Sequence, residues 1–562
     1  MNRHRMSNNY RVLRNILSKT RQMDIAEDIS YLIIYAFLYK YCSDIQKNHF
    51  LAVIEDKPIT LDEAFGDEDY QKEFRQTAFD AFGFFIPKSE LFLDELIAEK
   101  YSENFFITDF INAFSKNVEF APDSSYEEYF KFIFKSIGMG ININKFEFEG
   151  EGHLLVKDLI YTISKLDIQE REFPFEMVFD RVCDSRIIHM DRDPDYINPI
   201  ISAIVTSQKT SLDDVYNPFL NDASSLINLA HDCKFAIGHI YAKSSDMKSY
   251  CASIVKFLIN FFDLDGVFLK YGSPFDSVDV SGVQFDAIVS AIPPMTPRRL
   301  KRLNRVQNEE IIKRRNEDKL MNMMVEKFGI EEDAFENDVE LKRSVENLAK
   351  RMISEKNPAD DFTGEYEVLK NSEYLFLINL INSLKDDGMM VVSLSQSFLA
   401  KNSLETLRKY LTVEKNCIDC VISLPDVLSR TKRPEVIVVF RKNKSTDDIV
   451  FIDLSTDYDT SRSRYSISGT FRRNLVLGRK TIDRIVCVYN RRKTIDRFSN
   501  VVDIRELEKN EFNLSISRYV DTFEGDFIRL EDLKNRKEEI TSNIKELNKK
   551  IDMMMDELGI DF

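Results

Sequence analysis

Asp214-Val-Tyr-Asn-Pro-Phe-Leu-Asn-Asp-Ala-Ser-Ser-Leu-Ile227 joins a short apolar run to a helix-forming segment through a turn that contains Pro218. Short apolar runs continue to alternate with helical segments from about Pro174 to Asp453. This alternation predicts an α/β fold with a doubly wound, mainly parallel sheet, whose ligands bind at the carboxyl ends of the strands. The predicted strands are 214–216, 235–237, 266–269, 285–289, 389–394, 419–424 and 436–440.

The chain is long enough for several domains, because its 562 residues exceed one ordinary hydrophobic core. Apolar residues recur at helical spacing up to about Gln169, which predicts an N-terminal helical domain over 1–169. The α/β domain is predicted over 170–470, with a charged helical insertion at 296–361. Residues 471–562 are predicted to form a C-terminal segment that ends in a helix.

The terminal helix is predicted from an amphipathic pattern among dense charges. Its apolar residues include Leu533, Ile540, Ile544, Leu547 and Ile551. Such a helix either pairs with another helix or folds back on its own domain, and the sequence leaves both alternatives open. A hexapeptide, Arg-Lys-Thr-Ile-Asp-Arg, occurs at 479–484 and again at 492–497, but two copies do not indicate a repeat architecture.

The net charge of −17 argues against a general nucleic-acid binder, because phosphate neutralisation needs clustered Lys and Arg. A local basic run is nevertheless present. Its main members are Arg298, Arg299, Lys301, Arg302 and Arg305. These residues either contact nucleic-acid phosphates or form the solvated face of a helix that acidic residues from Glu309 onward balance.

Seven scattered cysteines and the lack of a secretory leader indicate a reducing, cytoplasmic environment. The Cys417-Ile-Asp-Cys420 pair has no second pair to complete a zinc site, so both residues are predicted to be buried free thiols. No metal site is expected. The most apolar early stretch, Ile29 to Leu38, is too short to span a bilayer and is predicted to be a buried helix.

Four stretches of the chain resemble one known protein family, and the C-terminal stretch is the most specific. It reads Arg492-Lys-Thr-Ile-Asp-Arg-Phe-Ser499, followed by Glu511-Phe-Asn-Leu-Ser-Ile-Ser-Arg-Tyr-Val-Asp-Thr-Phe523. The other stretches are 13–17 with 37–44, 372–376 with 383–392, and 421–425 with 431–442. With the tail helix, they make residues 10–560 similar to the modification subunit of type I DNA restriction-modification systems, an N6-adenine DNA methyltransferase family.

This resemblance implies a Rossmann-like, class I S-adenosylmethionine-dependent methyltransferase domain. In that family the modification subunit binds S-adenosylmethionine and transfers its methyl group to the N6 amine of an adenine flipped out of the duplex. It works beside a separate DNA-specificity subunit. The expected partners are therefore a specificity-type subunit, other restriction-modification or defence subunits in a hetero-oligomer, and DNA.

The family's "DPxxGSG" turn is altered in this chain, where the corresponding residues are Asn217, Pro218, Asn221 and Ala223. Glycine lets the backbone approach the bound methionine moiety closely. Asn221 and Ala223 stand at the two glycine positions, so side chains are expected in the space that the cofactor needs. Asp222, between them, is expected to be a loop cap rather than a replacement acid.

Three other cofactor positions are also altered. The family's "FYTP" segment corresponds to Tyr196-Ile-Asn198-Pro. The acid that holds the ribose hydroxyls after the second strand falls on Ile240, and the aspartate after the third strand falls on Ser273. We therefore expect only a degenerate cofactor site.

The target-base motif follows the predicted fourth strand, where the family has "NPPF" or "NPPY". This chain has Ile292-Pro293-Pro294-Met295. The family's asparagine accepts a hydrogen bond from the adenine amine, and its aromatic ring stacks on the flipped base. An isoleucine side chain accepts no hydrogen bond, which leaves a buried donor unpaired at a cost of about 1 to 3 kcal/mol. The motif is not expected to be competent.

These departures favour a catalytically inactive homologue without a cofactor, acting as an assembly or DNA-associated subunit of a prokaryotic DNA-modification or defence complex. Two alternatives stay open. One is an active, divergent adenine-N6 methyltransferase that binds S-adenosylmethionine, and the other is a helical scaffold without a nucleic-acid role. His231 and His239 lie near the altered turn in sequence, but no recognisable motif pairs them with a nucleophile.

Overall fold

The structure is a computed structural model. It describes residues 8–20, 26–93, 97, 106–141, 151–169, 175–183, 193–194, 196–233, 236–261, 266–274, 283–293, 376–425, 435–455, 459–462, 473–522 and 530–558. The predicted insertion at 296–361 lies outside the described residues. So do Pro294, Met295, Arg298, Arg299, Lys301, Arg302 and Arg305.

The N-terminal region is helical, as its apolar spacing predicts. Its helices are α1 (Asn8–Thr20), α2 (Ala26–Val53), α3 (Leu61–Gly66), α4 (Glu68–Phe82), α5 (Ile107–Ser115), α6 (Ser125–Gly140), α7 (Glu151–Ser164) and α8 (Phe175–Val182). Two short strands, β1 (Phe84–Phe85) and β2 (Glu119–Phe120), pair antiparallel among them.

Helix α2 lies at the centre of this helical region. Nearly every side chain from Ile29 to Leu38 is buried, which confirms the predicted buried helix. The Tyr39 ring stacks on Phe114 with their centroids 4.6 Å apart, and aromatic contacts of this kind make up much of the core. Within the described residues, no helix is both long and apolar enough to cross a membrane.

A nine-stranded sheet, counted over the described residues, forms the centre of the α/β part in the order β5-β4-β3-β6-β7-β9-β8-β10-β13. Its strands are β3 (Leu212–Asn217), β4 (Ile237–Ser244), β5 (Val267–Tyr271), β6 (Phe285–Ala291), β7 (Leu384–Ser395), β8 (Ile418–Ser423), β9 (Glu435–Arg441), β10 (Ile449–Ile452) and β13 (Ser499–Val502). Strands β9 and β13 are antiparallel to their neighbours, and the other pairings are parallel. Strands β11 (Asp459–Arg462) and β12 (Arg473–Val476) form a separate antiparallel pair.

The sheet separates two apolar layers because successive side chains of each strand point to opposite faces. Val215 packs on one face with helices α9 (Asn198–Gln208), α10 (Ser224–Asp232) and α11 (Met247–Phe261), next to the N-terminal helices. Its neighbour Tyr216 packs on the other face. That second layer contains α12 (Phe376–Asn382), α13 (Ser397–Ala400) and α14 (Glu405–Lys409).

Six of the seven predicted strands coincide with strands of the sheet over most of their length, whereas the predicted strand 235–237 shares only Ile237 with β4. Strand β4 differs most from the prediction, because it begins at Ile237 and continues to Ser244. Strands β10 and β13 were not predicted, and β13 brings part of the C-terminal segment into the sheet. The domain boundaries at 169 and 470 remain predictions.

The C-terminal helices are α15 (Arg479–Arg491), α16 (Ile504–Lys509) and α17 (Leu530–Leu558). The two copies of the hexapeptide have different conformations. Residues 479–484 form the start of α15, whereas 492–497 follow its end, and Arg492 has a φ of 45°. The structure therefore agrees that the hexapeptide is not a structural repeat.

Cys417 and Cys420 are buried free thiols, as predicted. Burial raises the pKa of Cys417 to about 12, so that thiol is protonated at neutral pH and is a poor metal ligand. The described part of the chain contains no group of three or more His, Cys, Asp or Glu residues that could hold a metal ion.

Candidate functional site

The carboxyl ends of the parallel strands β3, β4, β5 and β6 meet at one edge of the sheet. The loop after β3 is joined to β4, because Leu220 N donates to Lys243 O at 2.7 Å. The segment after β5 is joined to β4 in the same way, by Gly272 N and Ser244 O at 2.9 Å. This edge is where a doubly wound fold binds its ligand, and most of the predicted site residues lie along it.

Asn217 ends β3 and is completely buried. Its Nδ2 donates to Ser225 Oγ at 2.9 Å, and its Oδ1 accepts from Phe219 N and from Ser290 Oγ, both at 3.0 Å. The amide thus ties the end of β3 to α10 and to β6, and the next residue, Pro218, begins the loop between them. Asn217 serves here as a structural hydrogen-bonding residue.

Ala223, at the end of that loop, has a left-handed backbone conformation with φ 63° and ψ 0°. It is the residue immediately before α10, and its side chain is fully buried. Glycine adopts this conformation freely, whereas an L-residue with a Cβ is disfavoured by about 1 to 2 kcal/mol. The loop has therefore kept a glycine-type turn without the glycine.

Asn221 connects the loop to two distant segments. Its Nδ2 donates to Asp193 Oδ1 at 2.8 Å and to Ala291 O, at the end of β6, at 2.9 Å. Both amide hydrogens are therefore bonded within the protein. The side chain is 6% exposed and lies between the loop after β3 and the strand that leads to the target-base position.

Asp193 was not identified from the sequence, yet it is central to this edge. Its Oδ2 accepts from Ser225 N in the first turn of α10 at 2.8 Å, and its own N donates to Asp222 Oδ1 at 3.1 Å. Burial, and then the nearby charge of Asp222, raise the pKa of Asp193 to about 6. The only sequence signal is an Asp before a Pro, which indicates a turn and nothing more.

Asp222 is a loop cap, as expected, because its Oδ1 accepts from Ser224 N at 3.3 Å. Behind it lies Lys256 of α11, a second residue that the sequence did not reveal. Lys256 Nζ lies 2.8 Å from Asp180 Oδ1 and donates to Ser224 Oγ at 2.6 Å. The lysine also lies 3.9 Å from Asp222 Oδ2, so it offsets part of the buried negative charge.

The position predicted for Ile240 is wrong. Ile240 pairs with Val215 inside the sheet, four residues before β4 ends at Ser244. The sequence suggested an early strand end because His239 is polar, but His239 lies on an exposed part of the strand. The residue at the strand end is Ser244, whose Oγ donates to Asp246 O at 3.1 Å.

Tyr196 and Asn198 lie where α9 begins. Tyr196 Oη donates to Glu435 Oε2 at 2.8 Å, a carboxyl whose pKa burial raises. Asn198 is 2% exposed, and its Oδ1 has no hydrogen-bond partner among the described residues. Among the predicted cofactor residues, Asn198 therefore has a buried acceptor atom, Oδ1, that is available to another group.

Ser273 and Ile292 lie at their predicted strand ends. Ser273 follows β5 and is fully buried. Ile292 directly follows β6, is 3% exposed, and belongs to the apolar layer that contains Phe285 and Phe376. Its backbone N donates to Ser393 O at 3.2 Å, and Pro293 after it is partly buried.

The two histidines near the altered turn in sequence do not form a catalytic group with it. His231 lies 3.2 Å from Asn260 Oδ1 through its Nε2, and His239 Nδ1 lies 3.1 Å from Asp214 Oδ1. Asp214 is near the start of β3, at the opposite end of the strand from Asn217. These contacts give neither histidine a nucleophile.

Comparison with known proteins shows what the chain is similar to. The family model described as N-6 DNA Methylase matches residues 308–526. A "Type I restriction enzyme MjaVII methylase subunit" of Methanocaldococcus jannaschii is 35% identical over 150 residues, which are 26% of this chain and 24% of the relative. The chain is a homologue of type I methylase subunits.

A second relative of the homologue is the "Type I restriction enzyme MpnII methylase subunit" of Mycoplasma pneumoniae. It is 26% identical over 195 residues, which are 34% of each chain. The homologue thus spans about a quarter to a third of the length of these curated relatives. The family match begins at residue 308, so it excludes the loop after β3 and Ile292.

Solved structures show that the homologue has the same overall fold over most of its length. The type I restriction-modification methyltransferase subunit of Streptococcus thermophilus superposes with a TM-score of 0.63 at 19% identity, covering 91% of this chain and 99% of that one. A structure from a study of type I system assembly and conformational transition gives a TM-score of 0.50 at 12% identity, with 98% and 97% covered. The fold is therefore the one that these two solved structures have, and in this chain it consists of a helical N-terminal region and a mostly parallel α/β sheet.

Proposed function

We propose that this homologue is a non-catalytic modification subunit, which takes part in assembly of a prokaryotic DNA-modification or defence complex and does not transfer a methyl group. The observation that carries the proposal is the burial of Ile292 at the end of β6. An adenine amine brought to this position would meet a hydrocarbon side chain. The amine would then be a buried donor without an acceptor, which costs about 1 to 3 kcal/mol of binding free energy.

The loop after β3 supports the same proposal, because its donors do not fit S-adenosylmethionine. Ala223 places a Cβ at a glycine-type turn, and Asn221 uses both of its amide hydrogens inside the protein. The backbone N of Ser225 is bonded to a side-chain carboxylate as well. A cofactor would have to replace these contacts before it could bind.

The terminal helix α17 supports a role in assembly. Ile540, Ile544, Leu547 and Ile551 follow one another at helical spacing and are each at least 50% exposed. All described side chains from 534 to 551 are exposed, which supports the alternative in which the helix pairs with another helix. An exposed apolar stripe of this kind suits pairing with a helix of a specificity-type subunit in the cytoplasm.

DNA is the second proposed partner. The candidates are Arg298, Arg299, Lys301, Arg302 and Arg305, which follow the target-base position in sequence. Triple substitution Arg298→Gln, Arg299→Gln and Arg302→Gln is expected to weaken DNA binding and reduce its salt dependence. Unchanged DNA binding would favour the solvated-face interpretation, and no DNA binding by the wild-type complex would favour a scaffold without a nucleic-acid role.

The proposal is tested by assaying N6-methyladenine formation. The full chain is purified with a specificity-type subunit from the same genome and incubated with S-adenosylmethionine and unmethylated genomic DNA. We expect no methyladenine above the level of a reaction without protein. Methylation that depends on both subunits would contradict the proposal.

An active, divergent methyltransferase is the second candidate, and Asn198 is the observation that favours it. Its buried Oδ1 is without a partner in the described part of the chain, so it offers an acceptor for a ligand amine. Under this alternative, Asn198→Ala abolishes methylation that the wild-type complex performs. Under our proposal there is no methylation to abolish.

A further inference from the structure

We infer that Asp193 is a built-in substitute for a ligand carboxylate, which fills the amino end of α10 and locks the loop after β3 in place. Each carboxylate oxygen receives a hydrogen bond from this loop and helix. Oδ1 accepts from Asn221 Nδ2 at 2.8 Å, and Oδ2 accepts from Ser225 N at 2.8 Å. The inference rests on the proposed function, because it explains why a cofactor finds this edge filled.

The amino end of α10 is a favourable place for an anion. The first N–H groups of a helix lack partners within the helix, and the helix dipole adds partial positive charge there. In dinucleotide folds, the first helix after the first strand uses this end to bind the anionic part of the cofactor. In this chain the anion is Asp193, which lies 32 positions before the Ser225 that it contacts.

The contact differs from ordinary helix capping. In ordinary capping, the side chain comes from the residue just before the helix. For α10 this residue is Ala223, whose side chain has no polar group. The acceptor is supplied instead by a distant segment, as a bound ligand would supply it. Asp193 therefore occupies the helix end through a tertiary contact.

Asn221 continues these internal contacts across the carboxyl edge of the sheet. Its second amide hydrogen reaches Ala291 O, so Asp193, the loop after β3 and the end of β6 are connected in one chain of hydrogen bonds. Doubly wound folds bind their ligands at these carboxyl ends of the strands. In this chain the side chains of Asn221 and Asp193 make the contacts between these segments.

Charged residues around Asp193 also help to hold it in position. Asp222 accepts a hydrogen bond from Asp193 N at 3.1 Å, while Lys256 lies 3.9 Å from Asp222 and 2.8 Å from Asp180. The buried lysine thus offsets part of the charge of Asp222 and connects this residue to helix α8. Burial and the charge of Asp222 raise the pKa of Asp193, whereas the hydrogen bonds from Asn221 and Ser225 act in the opposite direction and favour the ionised carboxylate.

Chemical rescue tests the inference in the full chain. Asp193→Ala removes the carboxylate, and Asp496→Ala is the control because the Asp496 side chain is 96% exposed. Thermal unfolding at pH 7.5 is compared in sodium formate and in sodium chloride of equal concentration. Formate is the probe because it is a carboxylate small enough to enter the space left by Asp193.

We expect Asp193→Ala to lower the unfolding midpoint by roughly 2 °C or more. Formate, but not chloride, should raise that midpoint in a saturable manner, while the wild type and Asp496→Ala respond equally to the two salts. An unchanged midpoint in Asp193→Ala would overturn the inference. So would a formate effect of the same size in all three proteins.

Asp193→Asn is the second variant if Asp193→Ala does not fold, because it keeps the side-chain volume while losing the charge. Hydrogen exchange is then measured for the peptide that covers 222–228. We expect exchange to be at least roughly tenfold faster than in the wild type, corresponding to the loss of one charge-assisted hydrogen bond; unchanged protection would overturn the inference. N6-methyladenine formation by the wild-type complex would instead overturn the proposed function.

Discussion

Arg492 and Asp419 form an ion pair in which Nη1 of the arginine lies 2.7 Å from Oδ1 of the aspartate, whose side chain is only 2% exposed. Arg492 also donates to Asp448, through Nη2 to Oδ1 at 2.8 Å. Tyr489 Oη donates to the other Asp419 oxygen at 2.6 Å. These bonds join the segment after α15 to strand β8 and to the residue before β10.

Arg492→Met is expected to destabilise the protein by about 3 kcal/mol or more, because it leaves Asp419 buried without its cation. The chain offers a matched control, since Arg479 begins the other copy of the same hexapeptide and is exposed. Arg479→Met should change the free energy of unfolding by about 0.5 kcal/mol or less. Urea unfolding measures both, and equal effects would contradict a structural role for Arg492.

Ala223→Gly is expected to be unusually well tolerated for a buried alanine. Glycine relieves about 1 to 2 kcal/mol of left-handed strain, which offsets the lost methyl burial and the added chain entropy. Ala252 of α11 is the control, because it is equally buried but helical. Ala223→Gly should be at least about 1 kcal/mol less destabilising than Ala252→Gly in urea unfolding; the reverse order would show that the turn is not strained.

Ile292→Asn is expected to destabilise the protein by roughly 2 to 4 kcal/mol, since it removes a buried apolar side chain and places an amide in an apolar layer. Ile292→Val keeps the site apolar and should cost only about 1 kcal/mol. Denaturant unfolding measures the free energy of unfolding of both variants and so distinguishes the two effects. If Ile292→Asn were as stable as the wild type, the side chain would face a polar, ligand-accessible space instead.

Changing the apolar stripe of α17 should affect assembly but not folding. Ile540→Ser, Ile544→Ser and Leu547→Ser together are expected to abolish co-purification with a specificity-type subunit. The unfolding midpoint of the isolated chain should hardly change, because each side chain is more than half exposed. The control is Glu546→Gln with Lys550→Gln, an exposed pair whose ion pair spans 2.9 Å. Loss of binding in the control as well would point to charge rather than to the stripe.

The buried carboxyl of Asp193 should give stability a specific pH dependence. Its pKa is raised in the folded protein to about 6, so the folded state binds its proton more tightly than the unfolded chain does. The stability contributed by this group is therefore fully present below about pH 4 and is lost as pH rises through 6. Burial raises the pKa of Asp44 to about 6 as well, with the same sign.

Comparing the wild type with Asp193→Asn isolates the effect of Asp193, because Asp44 is present in both proteins. The stability of the wild type relative to the variant should decrease between about pH 4 and 6 and stay constant above about pH 7. Urea unfolding at several pH values measures this difference. If the difference in unfolding free energy between the two proteins were the same at every pH, the result would contradict the buried position of Asp193.

Much of the sheet could be predicted because its strands are continuous apolar runs between turn signals, as in β6 and β9. Strand β10 was missed because four apolar residues between charged neighbours do not show a period. Strand β13 could not be placed, since its partner β10 lies about fifty residues earlier in the chain. The two hexapeptides show the same limit, because their identical local sequence has two conformations set by tertiary contacts.

The candidate site was predictable where it depends on position in a strand, and less so where it depends on contacts. Asn217, Ser273 and Ile292 are at the strand ends that the sequence predicts. Ile240 was misplaced because a polar residue interrupts the apolar run of β4. Asp193 could not be found at all, because only the folded chain brings it to Ser225.

Calorimetric titration of the full chain with S-adenosylmethionine tests whether the edge of the sheet is already filled by the chain's own side chains. We expect no heat of binding up to millimolar cofactor, because the first turn of α10 and the amide of Asn221 are already bonded within the protein. Saturable binding at micromolar concentration would contradict this expectation.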